Sequence, residues 1–346
     1  MLFINLILTS LLWANLPPLK TKQSLTSLRF ISYDGKITYY QKTNGSLLVS
    51  TNYDVKEILT LKPGTHFKLN SQGLNKRIVI EADENYFNDL NFSKHNKIYI
   101  TDYNSKSAVK IGDGINAEMQ NDENWVSYFD LKEKTIYVVL ARSPAKKYQI
   151  KLNNPVNPYF IPQVNMINDD YILYTDLNEK GETALFLYVT VDQQFKTVFK
   201  SPTSASHLNF CYNSKKLIVG NFGHFDTDKG SQIYDIDITN ILNTPKASII
   251  YNSDLEDIGN LVCTEDNVFF IKTIKEIEEL NYKTSEVVSM DLKTKSISVI
   301  SNLEHVTQII NMAGRLLIPL RGEYFVLSGD ETTINDDLEM KKDNKK

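Results

Sequence analysis

Gln163-Val-Asn-Met-Ile-Asn-Asp-Asp-Tyr-Ile-Leu-Tyr-Thr-Asp176 reads as two short apolar strands divided by a polar turn at Asn168-Asp-Asp170. Asn and Asp suit such a turn because they tolerate left-handed backbone angles or bond their own backbone. The same order recurs along the chain. A first strand, a, is read at Arg29–Tyr33, His66–Leu69, Ile115–Met119, Gln163–Ile167, His207–Cys211, Ile258–Val262 and Val306–Ile310. A second, b, follows as a near-continuous apolar run at Lys36–Tyr40, Arg77–Ile80, Trp125–Phe129, Tyr171–Tyr174, Lys216–Val219, Val268–Ile271 and Arg315–Ile318. Runs of that kind belong to strands covered on both faces. More alternating strands c, such as Ile98–Asp102 and Val287–Asp291, and polar strands d, such as Ser107–Ile111 and Ser296–Ile300, complete the unit.

The b strands return every roughly 40 to 50 residues, the spacing of four-stranded propeller blades. Seven copies fill the chain with no long remainder. A β-sandwich also has many short strands, but it does not repeat a fourfold order along the chain. Helical periodicity is confined to Thr273–Tyr282. The expected fold is all-β, a seven-bladed β-propeller of four-stranded antiparallel blades. An open ring would expose sheet edges. The last blade has only a weak Thr332-Thr-Ile334 after Tyr324–Leu327, so an N-terminal strand at Leu19–Leu25 is expected to complete it and close the ring.

Asn168-Asp-Asp-Tyr-Ile-Leu-Tyr-Thr-Asp176, followed by Leu185-Phe-Leu-Tyr-Val-Thr-Val-Asp192, resembles the repeat of TolB-like and YncE-like propellers of the WD40-like kind. Asp291-Leu-Lys-Thr294 is similar to their c-to-d turn, and their Pro-Asp-Gly turn survives as Tyr33-Asp-Gly-Lys36. The resemblance covers nearly all of residues 28–328 and implies a fold. It carries over no catalytic residue, and fold alone does not give function.

The formal charge of −4 and pI near 5.8 lack the basic footprint of a nucleic-acid binder. Met1–Ala14 is an apolar run too short to span a bilayer, ended by Pro17-Pro18, which suits a signal-peptide core although no Lys or Arg precedes it. The expected organisation is a signal peptide at 1–16, one propeller domain at 17–335 and a charged, disordered tail at 336–346. The location is exported, periplasmic or extracellular, with no transmembrane span beyond the N-terminal segment, and the protein is expected to be a monomer. Cys211 and Cys263 are expected to be two unrelated buried residues, although an exported location permits a bridge.

In a propeller the d-to-a and b-to-c connections share one face. The b-to-c loops Ala82–Asn96, Thr175–Ala184, Asn221–Gln232 and Thr273–Glu286 read as extended, so that face is the expected site. His66, His207 and His305 stand at or before a strands, at the channel mouth, with His95 and His224 in the loops above. Imidazole is a common metal ligand, so these three are the candidate divalent-metal set; they are also spread around the ring, and metal distances near 2.1 Å demand convergence. Asp113, Glu256, Asp257 and Glu304 fall on d-to-a connections. With Arg29 they make a rim suited to a small polar or cationic ligand. The expected ligand-binding set is Arg29, His66, Asp113, Gln163, His207, Asp257 and His305. Asp226-Thr-Asp228-Lys-Gly230 has the spacing that opens many calcium loops, but no bidentate Glu follows; a polar hairpin is the plainer account.

No cofactor is expected beyond such a metal. Gly-x-Ser-x-Gly, His-Glu-x-x-His, a phosphate-binding glycine loop and Cys-x-x-Cys are all missing from the sequence. Two functions are compatible with this pattern. One is a non-enzymatic binding module for a protein or cell-envelope component, using the face with long b-to-c loops. The other is a metal-assisted lyase or hydrolase acting on a saccharide or lactone at the channel mouth.

Overall fold

The structure is a computed structural model. It describes residues 26–31, 37–42, 44–50, 55–70, 77–84, 96–102, 107–120, 123–152, 160–200, 207–212, 216–222, 231–238, 241–242, 245–253, 256–274, 284–304, 309–312, 315–320 and 323–327. The expected leader at 1–16, the closing strand at Leu19–Leu25 and the tail from Asp336 lie outside the described residues.

Strands and turns make up the described chain, and they form antiparallel sheets in chain order. The first sheet is β1 (Thr26–Ile31), β2 (Thr38–Lys42), β3 (Ser46–Ser50) and β4 (Val55–Thr60). A seven-stranded sheet follows, with β5 (His66–Asn70), β6 (Arg77–Asp83), β7 (Asn96–Asp102), β8 (Val109–Met119), β9 (Trp125–Asp130), β10 (Thr135–Leu140) and β11 (Lys147–Lys151). Three four-stranded sheets come next. They are β12 (Val164–Asn168), β13 (Tyr171–Leu177), β14 (Thr183–Val189) and β15 (Gln194–Lys200); then β16 (His207–Tyr212), β17 (Leu217–Phe222), β18 (Ser231–Ile236) and β19 (Ala247–Ser253); then β20 (Glu256–Cys263), β21 (Asn267–Ile274), β22 (Thr284–Asp291) and β23 (Ile297–Glu304). The last described sheet has three strands, β24 (Ile310–Met312), β25 (Arg315–Leu320) and β26 (Glu323–Leu327).

The apolar b runs have a simple physical cause. Side chains alternate faces along a strand, and β6, β9, β13, β17 and β21 each lie between two cores. Ile172 and Tyr174 of β13 pack with Trp125, Phe129 and Val138, whereas Leu173 between them packs with Phe210, Leu217 and Val219. Ile78 and Ile80 of β6 join Leu47 and Val49, while Val79 joins Ala117 and Val126. β17 and β21 divide the same way, with Ile218 facing Val268 and Phe270, and Phe269 and Ile271 facing Ile309 and Leu316. Successive sheets therefore pack face to face, and no polar face is left for b to present.

The seven-stranded sheet corrects an expected boundary. Ser107–Ile111 and Ile115–Met119 read as separate strands joined by a connection holding Asp113; they are one strand, β8. Its first half pairs with β7, from Ile100↔Val109 to Asn96↔Gly114, and its second half with β9, from Ile115↔Phe129 to Met119↔Val126. β5 touches β8 although it lies three strands away in the sheet, and Ala117 N–H reaches Glu81 Oε2 at 3.1 Å. The two halves thus fold onto one another. Gly112 and Gly114 permit it: a Cβ at Gly112 would stand 2.2 Å from the Tyr128 hydroxyl, and one at Gly114 2.6 Å from Phe129 O. The glycines stand where the strand passes against a ring.

Polar side chains stitch the sheets together. Each seam uses an acceptor of one sheet to satisfy a backbone N–H in or beside the inner strand of the next. Phe67 N–H bonds Gln41 Oε1 at 3.2 Å, Met166 N–H bonds Gln120 Oε1 at 2.7 Å, and Phe210 N–H bonds Gln163 Oε1 at 2.9 Å. Ile258 N–H bonds Ser231 Oγ at 3.2 Å and Ile309 N–H bonds Asn260 Oδ1 at 2.8 Å. A buried N–H left without an acceptor costs more than a net hydrogen bond contributes, so these side chains hold the stack together.

Cys211 and Cys263 are not unrelated residues. They form a disulfide between β16 and β20, with Cα atoms 5.6 Å apart, inside the range that bridging requires. Far apart in sequence, they sit on the inner strands of neighbouring sheets, which their separation alone did not reveal.

Candidate functional site

Strand register decides which chain segments share an end of the sheets. His66 pairs with Asp83, Asn96 with Gly114, His207 with Phe222, Glu256 with Ile274, and Thr284 with Glu304. Inner strands therefore start where b strands end, c strands start and d strands end. At this end β6 stops at Asp83 and β7 starts at Asn96, β17 stops at Phe222 and β18 starts at Ser231, and β21 stops at Ile274 and β22 starts at Thr284. Thr175–Ala184, expected to be extended too, is strand at both ends, with only residues 178–182 between β13 and β14. Its tight turn is closed by Asn178, whose Oδ1 accepts from Lys180 N–H at 2.9 Å and Glu182 N–H at 3.0 Å.

His66 opens β5 and is half-buried, and His207 opens β16. Asp113 lies inside β8, exposed, and pairs with Lys110 Nζ at 2.7 Å. Gln163 precedes β12, and both ends of its amide are engaged by Phe210, Nε2 donating to the carbonyl at 2.5 Å while Oε1 accepts the N–H. Its position is that of a seam residue. Arg29 lies in β1 and Asp257 in β20; Glu256 begins β20 and Glu304 ends β23, so these acids stand on strands and not on connections. His305, His95, His224, Asp226 and Asp228 lie outside the described residues. Among the described residues no three His, Cys, Asp or Glu side chains stand close enough to hold a metal ion.

A second group of residues emerges on the inner strands. His66, Asn116, Asn165 and Asn209 each directly precede the residue whose N–H crosses a seam, namely Phe67, Ala117, Met166 and Phe210. The Oδ1 atoms of Asn165 and Asn209, and that of Asn70 at the end of β5, are buried without a hydrogen-bond partner among the described residues. A buried amide oxygen is an acceptor awaiting a donor. The repeated Asn was visible in the a strands as Ile-Asn-Ala, Val-Asn-Met and Leu-Asn-Phe, but one polar residue in an apolar strand carries no direction until the seam phases it.

Glu118 is the most unusual of these inner-strand groups. It follows a bulge in which Asn116 takes a φ of 52°, with register lost between Ile115 and Glu118. The residue keeps some solvent contact, yet its carboxyl is hemmed in by protein. That burial raises it above the ordinary glutamate range; Lys68 counteracts the shift and Glu81 adds to it. Glu81 itself is fully engaged, accepting from Asn96 Nδ2 at 2.7 Å and from Ala117 N–H.

Among solved structures, the chain is similar to a prolyl endopeptidase, with TM-score 0.59 and 10% identity over 88% of this chain. It spans half the length of that enzyme. It is also similar to the β-propeller domain of the Trilobed protease from Pyrococcus furiosus, with TM-score 0.56 and 13% identity, over 90% of this chain and 95% of that one. The fold is a β-propeller. TolB from Acinetobacter baumannii is a further neighbour, at TM-score 0.42 and 10% identity, covering 84% of this chain and 67% of that one. The β-propeller fold expected from the repeat that includes Asn168–Asp176 thus rests on the first two neighbours. No protein-family model and no curated protein matches the sequence. Identities this low show the fold alone. Among the described residues no helix of this propeller is long and apolar enough to cross a membrane.

Proposed function

We propose that this chain is an exported, seven-bladed propeller that binds a protein or cell-envelope component without catalysis, through the end where inner strands begin. The observation that carries this is the uneven length of the connections. Those after Asp83, Phe222 and Ile274 are long, whereas the a-to-b turn at Asn168 is closed locally by Asn168 Oδ1 on Asp170 and Tyr171 N–H. Long loops on a rigid frame are where recognition concentrates. The blades are sheet β1–β4, the two halves of the folded seven-stranded sheet, the three sheets from β12 to β23, and β24–β26. The last has three described strands, and Leu19–Leu25 is its proposed fourth. The disulfide supports an oxidising, exported location.

The test is capture from cell-envelope extract by the full chain. The expected result is a specific partner that is lost when residues 85–95, 223–230 and 275–283 are replaced by Gly-Ser linkers, and kept when Asn168 is replaced by Gly. Capture indifferent to those loops sinks the proposal. Stoichiometric metal that disappears in a His66→Ala/His207→Ala variant would favour the metal-assisted lyase or hydrolase. Closure is tested separately: a chain beginning at Thr26 should melt well below the full chain, and an unchanged melting temperature removes the clasp.

A further inference from the structure

The fold contains its own control for Glu118. β20 carries the same bulge as β8, with Asn260 at φ 49° and register lost between Gly259 and Val262. Ile115-Asn-Ala-Glu-Met119 thus corresponds to Gly259-Asn-Leu-Val-Cys263, and the residue in the place of Glu118 is Val262. Val262 packs against Phe269, Ile271 and Ile309. A position that the fold fills with an apolar side chain in one sheet holds an acid in the other, and among the described residues that acid has no hydrogen-bond or ion-pair partner. Structural need does not put a carboxyl there, since burying it unpaired is unfavourable.

Two groups on β5, the strand that touches β8, are without partners among the described residues. Lys68 on β5 is exposed and lies within electrostatic reach of Glu118, yet no ion pair closes between them. Asn70 lies two residues on, so it leaves β5 on the same side as Lys68, and its Oδ1 is buried and unpartnered. Glu81, the cross-strand neighbour of Lys68, is occupied by Asn96 and Ala117. What remains is one cation, one anion and one amide acceptor on adjoining inner strands.

We propose that Lys68, Asn70 and Glu118 form a binding site for an amino-acid zwitterion. Its carboxylate pairs with Lys68, and its ammonium donates to Glu118 and to Asn70 Oδ1. A simple cation would be left facing Lys68, and a simple anion would be left facing Glu118. Only a ligand bearing both charges satisfies all three groups. This site is separate from the loops proposed to take a macromolecule.

Isothermal titration of the full chain against each of the standard amino acids, with methylammonium and acetate as one-charge controls, tests the site. At least one amino acid should bind while neither control does. Glu118→Gln and Lys68→Met should each weaken binding ~10-fold or more, and Asn70→Ala should weaken it as well. Glu118→Gln should melt no lower than the parent, which separates loss of the site from loss of the fold. Failure of every amino acid to bind, binding of a control as tightly, or unchanged affinity in Glu118→Gln overturns the proposal.

Discussion

β8 and β20 carry the same irregularity and use it differently. Each inner strand bulges at an Asn with positive φ, 52° at Asn116 and 49° at Asn260. Such bulges re-aim the side chains that follow. In β20 the following residues, Val262 and Cys263, are consolidated, one in an apolar cluster and the other in a disulfide to β16. In β8 the corresponding residues are Glu118 and Met119, and only the methionine is packed as core. One bulge is fastened on both sides of the strand; the other keeps an acid on one side. The difference teaches where this molecule gives up stability, and a group retained at a cost is the first place to look for function.

The largest effect is expected at the fastening of β20. Cys211 and Cys263 are separated by 52 residues, and the loop-entropy model assigns such a closure ~4 kcal/mol. The Cys211→Ser/Cys263→Ser double variant should lose about that much in denaturant unfolding of oxidised protein. Equal stability would mean that apolar packing alone holds β20, and the contrast with β8 would shrink to one residue.

Exchanging that residue is the next test. Val262→Glu places in β20 the acid that β8 tolerates, here against Phe269, Ile271 and Ile309, and should destabilise by ~2 kcal/mol. If Val262→Glu were neutral, the bulge itself would accept acids, and Glu118 would lose its distinction.

Much of this architecture was legible in the sequence because burial on both faces forces continuous apolar runs. Tyr171–Tyr174 and Val268–Ile271 were found for that reason, as b strands within β13 and β21. Seam residues were not legible. Gln41 lies within a b strand, Gln120 just after an a strand and Gln163 just before one, so they share a task but no periodicity. Gln163 reads from the sequence as a ligand-binding residue, and in the structure its amide is engaged with Phe210. Asp113 reads as part of a connection between separate d and a strands, whereas the two are one strand whose Gly112 and Gly114 let it pass Tyr128. Glu118 is not legible in the sequence because an acid in an a strand has no meaning until a second bulged strand supplies its counterpart.

The seams leading into the two strands should also differ. Ala117 N–H, entering β8, is bonded by the carboxylate of Glu81, which also holds Asn96. Ile258 N–H, entering β20, has the Ser231 hydroxyl at 3.2 Å. Bonds to charged groups contribute more than neutral ones, so Glu81→Ala should cost ~2 kcal/mol and Ser231→Ala ~1 kcal/mol. Reversed magnitudes from the two unfolding curves would show that β8 does not rely on Glu81.

The smallest effect has the opposite sign. Glu118→Val restores the residue type that β20 uses and should stabilise the protein by ~1 kcal/mol near neutral pH. The pH dependence follows from the direction of the shift. The folded carboxyl holds its proton more tightly than the ordinary glutamate value of 4.5 because burial disfavours its charge. Between the unfolded and folded values the native state binds more protons, so Glu118 lowers stability progressively as pH rises through that interval. The advantage of Glu118→Val should therefore be smallest below the unfolded value, grow as the carboxyl ionises and level off above the folded value. Paired melts of parent and variant across that range measure the difference. An advantage independent of pH would trace the gain to packing alone, leaving β8 and β20 distinguished by shape and not by charge.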